Sequence, residues 1–261
     1  MCRNILRSAA VLAAVLSTGL LTPTLATADE TDAKNLLKAM SDYMASQDAI
    51  SFGYDANLDV VTKDNQRLTL ASSGTVSMER PDKFHSTRAS GFRNSETFFD
   101  GQTLTLLGKN ANLYTQVEVA GTVDDLVTMM IEKLDRTPPA ADLLSANAYD
   151  QLMDGVTDVK DLGSGVIDGV ECDFLAFRTD DVDWQIWIAH GDSPYPCRYV
   201  VTSKKIAGAP QYSIQIRDWA TGDQAISDGF DFGNTSNAQM IDASEIGKKM
   251  SELPRHFKIG E

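Results

Sequence analysis

Apolar positions along the chain follow two periods, and the period switches at defined places. From Thr31 to Gln47 they recur every three or four residues, at Ala33, Leu36, Leu37, Met40, Tyr43 and Met44. That spacing sets them on one stripe and predicts a docking helix with a single buried face. The period then becomes two: Phe52, Tyr54, Ala56, Leu58 and Val60 alternate with small or polar residues, as a strand with one wet face requires. Leu68, Leu70 and the run from Gly74 to Met78 predict a second strand, ended by Arg80-Pro81-Asp82. Asp100-Gly101 separates two β-prone runs and is a strong hairpin signal. Leu113 to Val119 extends the meander, and long strands joined by short turns favour antiparallel pairing.

Between Thr122 and Met153 the helical period returns, with Val123, Leu126, Val127, Met130, Ile131 and Leu134 on one stripe. Pro138-Pro139 interrupts it, and Leu143, Leu144, Tyr149, Leu152 and Met153 predict one or two short helices beyond. A linker is the alternative, but the apolar content favours a helical insertion packed on the β chain. Strands resume at Val156, turn at Asp168-Gly169, and continue as Cys172 to Arg178 and Asp183 to Ile188. The Gly191-Asp192-Ser193-Pro194 turn leads to a strand from Cys197 to Ser203, and a last long strand runs from Tyr212 to Trp219. The tail from Asn234 is weakly patterned. The class expected is mostly β (α+β).

The N-terminus has the three parts of an export signal: Arg3 and Arg7, an apolar run from Ala9 to Leu21, and Ala26-Thr27-Ala28 as a cleavage site. The run falls short of the roughly 20 residues a spanning helix needs. Residues 1–28 are therefore expected to be removed, leaving one domain over residues 29–261. No cysteine stands at the cleavage point to carry a lipid anchor, and no later stretch approaches membrane-spanning length, so a soluble exported protein is expected. The chain carries a net charge of −14, and the signal contributes only positive residues to it. Such a balance argues against nucleic acid or anionic membrane surfaces as partners. Loss of Cys2 with the signal leaves Cys172 and Cys197, which an oxidising compartment would more often bridge than leave free.

Candidate chemistry is sparse. His85, His190 and His256 form no H-E-x-x-H or H-x-H pair, and neither a G-x-S-x-G elbow nor a phosphate-binding glycine loop occurs. Asp180, Asp181 and Asp183 could attract calcium, but they lack the glycine and distal glutamate of an EF-hand and read as a solvated turn. No catalytic, metal-ligating or cofactor-binding residue is expected, and the chain does not read as an enzyme. Aromatic side chains carry the remaining signal. Trp184 shares a strand face with Ile186 and Ile188, whereas Trp187 lies with Gln185, and a sheet apolar on both faces needs a cover on each. Helices would supply one cover and a ligand the other, with Leu126, Met129, Met130, Leu143, Phe177, Trp187 and Trp219 as candidate lining residues. Methionine thioethers suit adaptable apolar pockets.

Several motifs carry a resemblance. Arg80-Pro81-Asp82-Lys83, Phe99-Asp100-Gly101-Gln102-Thr103-Leu104-Thr105, Pro139-Ala140-Ala141-Asp142-Leu143-Leu144, Asp183-Trp184-Gln185-Ile186-Trp187-Ile188 and Ser193-Pro194-Tyr195-Pro196 resemble, in order and spacing, a family of predicted periplasmic proteins of unknown function. The resemblance covers nearly all of the chain after the signal. It implies bacterial export and a LolA, LolB and LppX type of fold: an incomplete antiparallel β-barrel wrapped around an N-terminal helix and a mid-chain helical insertion, with an apolar cavity between. It implies a carrier of a lipid, an acyl chain or a lipoprotein, and brings no site residues with it. An envelope module that binds another protein is the alternative.

Overall fold

In the computed structural model the helical stripe from Ala33 to Met44 forms α1 (Glu30–Ser46), and Ala33, Leu37, Met40 and Met44 are fully buried. The structure describes residues 30–134, 141–225, 229–245 and 249. The expected export signal, Pro138-Pro139 and His256 lie outside the described residues.

The strands before the insertion are β1 (Ala49–Val61), β2 (Arg67–Glu79), β3 (Lys83–Ser90), β4 (Asn94–Phe99), β5 (Thr103–Gly108) and β6 (Leu113–Glu118). The insertion comprises α2 (Val123–Leu134), a 3-10 turn at Ala141–Leu143 and α3 (Ala148–Met153). After it come β7 (Asp158–Ile167), β8 (Val170–Arg178), β9 (Val182–Ala189), β10 (Pro196–Ser203), β11 (Gln211–Thr221) and β12 (Gln239–Met240). All twelve join one sheet in the order β12-β6-β5-β4-β3-β2-β1-β11-β10-β9-β8-β7. The sheet stays open, with β12 and β7 at its two edges. Every pairing is antiparallel except that of β12 with β6. The mostly β, open antiparallel architecture with one N-terminal helix and a helical insertion is the one the sequence predicts.

Local chemistry explains the turns and the insertion's start. Asp168 and Gly169 both take positive φ, 50° and 81°, as the two-residue hairpin between β7 and β8 requires. Gly101 has φ 91°, and a Cβ there would lie 2.5 Å from the Asp82 carboxylate. Thr122 caps α2: its Oγ1 accepts from the Asp125 N–H at 3.2 Å, while the Asp125 carboxylate accepts from the Thr122 N–H at 2.8 Å.

Two elements differ from the expectation. β3 has no apolar alternation, its residues being nearly all half-buried, and it is held by ladders to β2 and β4 on both sides. The tail is also more ordered than its pattern suggests. Phe232 packs on Phe98 and Tyr114 with ring centroids 5.6 and 4.8 Å apart, and Ala238 and Ile241 are buried.

Both main cores lie on one face of the sheet, hereafter the inner face. The larger joins α1, α3 and Leu143 to residues of β1, β2 and β8 to β11, among them Ile50, Met78, Leu175, Ile186, Ile188 and Ile216. The smaller sets Leu126 and Met129 of α2 on Phe99, Leu104, Leu106 and Val119. Phe84 touches both. Each fully buried aliphatic side chain contributes about 1.5–3 kcal/mol relative to exposure.

Candidate functional site

The seven candidate lining residues do not converge on one cavity. Leu126, Met129 and the half-buried Met130 belong to the smaller core. Leu143 and Phe177 are buried in the larger one, and Trp219 borders it, stacked on Phe52 at 5.7 Å and on Tyr195 at 5.0 Å. Trp187 lies on the outer face, stacked on Phe174 at 4.2 Å with the Arg198 guanidinium 5.6 Å from its ring. Alternation decides this placement: Trp184, Ile186 and Ile188 turn inward, so Trp187 cannot.

The inner face itself is uneven. Between the two cores, β2 to β4 present Ser72, Gly74, Ser86, Arg88, Ser95 and Thr97, a floor of small and polar side chains. At the far end of the β1-β2 hairpin the face becomes apolar again. Leu58 stands opposite Leu70 and Val60 opposite Leu68, all four half-buried, and they belong to none of the packed clusters. Tyr212, opposite Leu58 on the neighbouring strand, links this strip to the larger core.

Beside the strip lies a polar group that the sequence pattern gives no means to find. Asp142, on the 3-10 turn, accepts a hydrogen bond from the Tyr199 hydroxyl at 3.1 Å and from the Leu143 N–H at 3.2 Å. Burial raises the Asp142 carboxyl above the usual carboxylate range, because desolvation penalises its charged form more than these bonds favour it. Burial, with Asp142 adding its charge, pushes the Tyr199 phenol well up. Tyr212 is raised too, first by burial and then by Tyr54 and Asp142. Its buried hydroxyl has no hydrogen-bond partner.

The helices around this face are tied down unequally. Arg80 donates to the Leu144 carbonyl at 2.9 Å and to the Met44 carbonyl at 3.5 Å, joining the end of α1 to the insertion. The Ser41 hydroxyl accepts from the Tyr149 N–H at 2.9 Å and fixes α3 on α1. The α2 start is held by the Val123 N–H on the Pro81 carbonyl at 2.9 Å.

On the outer face, Cys172 and Cys197 are buried together, and the expected bridge is absent: both are free thiols, with their sulfurs 2.8 Å apart. A disulfide holds its sulfurs at about 2.05 Å. A shift in register between Pro196 and Arg198 brings Cys197 beside Cys172 although β9 runs between their strands. Cys172 can also donate to the Val170 carbonyl at 3.4 Å. Burial raises both thiols above their ordinary range.

Other sequence candidates separate in space. Asp183 pairs with Arg178 at 2.7 Å and Asp181 with Lys205 at 3.6 Å, so these turn acids face cations of the protein itself. His85 stacks on Phe98 at 4.5 Å, and His190 lies 3.4 Å from Asp173. Among the described residues no group of three His, Cys, Asp or Glu could hold a metal, and no helix is long and apolar enough to cross a membrane. Two surface recesses, of about 260 and 160 Å³, lie around Ser51, Thr75, Ser77 and Arg217 and around Asp158, Lys160, Arg178 and Asp183. Both are smaller than the roughly 300–1,000 Å³ usual for small-molecule sites.

Comparison with known proteins bears on the family. No curated protein sequence matches the chain. Solved structures similar in fold include the lipoprotein LppX of Mycobacterium tuberculosis, at 13% identity over 73% of this chain and 96% of that one, with a TM-score of 0.38. A chain of the Pseudomonas aeruginosa MucA/MucB complex matches at 14% identity over 80% of this chain and 63% of that one, with a TM-score of 0.47. A LolA superfamily protein from Nitrosomonas europaea matches at 11% identity over 73% and 94%, with a TM-score of 0.34. A family model spans residues 33–243, and the chain accordingly belongs to the family of predicted periplasmic proteins designated DUF2092.

Proposed function

We propose that the protein is a periplasmic binding or carrier protein, not an enzyme, and that it shields a lipid or other apolar chain on the inner face of its open sheet. One observation carries this reading: the inner face remains apolar at Leu58, Val60, Leu68 and Leu70, beyond the last packed cluster. Covering about five methylenes there would contribute about 4 kcal/mol before ordering costs. Met129 and Met130 of α2, packed in the smaller core, supply adaptable thioether side chains on the same face. Membership of a predicted periplasmic family supports the location.

The test is native mass spectrometry of protein purified from periplasm without detergent, followed by solvent extraction. A discrete added mass that extracts as lipid is expected. Leu70→Asp and Met130→Asp, both at half-buried positions, should lose that mass while still unfolding cooperatively. Retention by both variants would sink the placement of the ligand.

A second reading has its own observation. β7 is an edge strand bonded to β8 alone, with Leu162 and Val166 exposed, and such an edge can accept a strand from a partner protein. The shift in register between Asp161 and Ser164 works against it, because bulges blunt edges. A bare protein mass after incubation with envelope lipids would move the weight to this reading.

A further inference from the structure

We propose that Asp142, Tyr199 and Tyr212 form the polar end of the ligand site and select an uncharged, hydroxyl-bearing head group. The inference rests on the apolar-chain reading and adds the chemistry of the head.

Three elements bring the group together: the 3-10 turn carries Asp142, β10 carries Tyr199 and β11 carries Tyr212. Register makes the two tyrosines diagonal neighbours on the inner face, since Tyr199 opposes Ile214 and Val201 opposes Tyr212. Tyr212 in turn opposes Leu58, which opposes Leu70. The polar group therefore meets the end of the apolar strip, where the head of a bound chain would lie.

Its neighbours are already engaged. Tyr199 donates to Asp142, Tyr54 donates to the Thr87 carbonyl at 3.0 Å, and Arg88 has an interaction of its own. Two capacities remain. The Asp142 carboxyl is met by no basic side chain among the described residues and keeps acceptor capacity. The Tyr212 hydroxyl is buried with no partner, a costly state for a polar group in a fold.

A ligand hydroxyl answers both capacities at once. It donates its proton to a carboxyl oxygen of Asp142 and accepts the proton of Tyr212. A carboxylate or phosphate head can accept from Tyr212 but has no proton to give the Asp142 carboxyl, and the burial that disfavours charge on Asp142 disfavours a second anion beside it. An ammonium head can donate to Asp142 but leaves the Tyr212 proton without an acceptor.

The experiment titrates the purified protein, by its tryptophan fluorescence, with 1-oleoylglycerol, oleate and oleylamine, which share one chain and differ at the head. 1-Oleoylglycerol should bind tightest, and Tyr212→Phe should weaken it about tenfold and oleate to a lesser degree, while leaving oleylamine unchanged. Because the hydroxyl has no partner in the free protein, Tyr212→Phe should leave its melting temperature unchanged or raised. Equal binding of all three probes, unaffected by the substitution, would overturn the head-group site and leave the apolar-chain reading standing. Binding of none would overturn both. A lowered melting temperature of the free variant would show that the hydroxyl has a structural partner, which also overturns the proposal.

Discussion

The two helical covers of the inner face differ in depth. Beneath α1 and α3, six strands send aliphatic and aromatic side chains inward, and four residues of α1 are fully buried among them. Beneath α2, the smaller core holds Leu126 and Met129 on a few residues of β4, β5 and the end of β6. The bonds follow the same division. α1 is tied to the insertion by Arg80 and to α3 by Ser41, whereas α2 is anchored at its first turn. Among the described residues α2 makes fewer buried contacts than α1, and local opening draws on such regions.

The sharpest test compares one buried residue under each cover. Leu37→Ala should cost about 3–5 kcal/mol in urea denaturation, and Met129→Ala about 2 kcal/mol, at the low end for a core truncation. Equal losses would break the comparison. Arg80→Ala should cost about 1.5–3 kcal/mol in the same experiment, because it strips a charged donor from the Leu144 carbonyl. If the loss were negligible, α1 and the insertion would be held by packing and the Ser41–Tyr149 hydrogen bond without Arg80.

A smaller effect follows from Asp142. Its folded pKa is raised, so the stability it contributes is fully present below the unfolded pKa and is lost as pH rises through the folded value. Asp142→Asn cannot ionise. It should therefore gain on the wild type as pH rises across that range, read as a widening difference in urea midpoint. A difference independent of pH would mean that the carboxyl is not buried as described.

The least energetic test concerns the outer face. Burial holds both cysteine thiols in their unreactive protonated form, so iodoacetamide should label neither in the folded protein and both after unfolding without reductant. No labelling after unfolding would mean that the two sulfurs had joined.

Much of the fold can be read from short stretches of sequence because the signals are local. The stripe from Ala33 to Met44, the alternation from Phe52 to Val60 and the Asp-Gly pairs each specify backbone geometry through neighbours a few residues away. Alternation also sets Trp187 against Trp184 across the sheet. It does not say which face a helix will cover, and so Trp187 falls outside the core in which Leu143 and Phe177 are buried.

What only the tertiary structure decided depends on partners far along the chain. β3 is a strand because two neighbours complete its hydrogen bonds, not because its side chains alternate. Phe232 and Ala238 gain a place only where Phe98 and Tyr114 are already in register. Asp142, Tyr199 and Tyr212 are ordinary residues of three separate segments; pairing register sets the two phenols side by side, and the packed 3-10 turn brings the carboxyl to Tyr199. The sequence by itself determines the periods, the turns and the mostly β class, since these follow from local sterics and burial. Pairing of distant strands fixes the division into two cores and the polar group at the end of the apolar strip, because burial on one face is a property of register and cover that no short stretch of sequence contains.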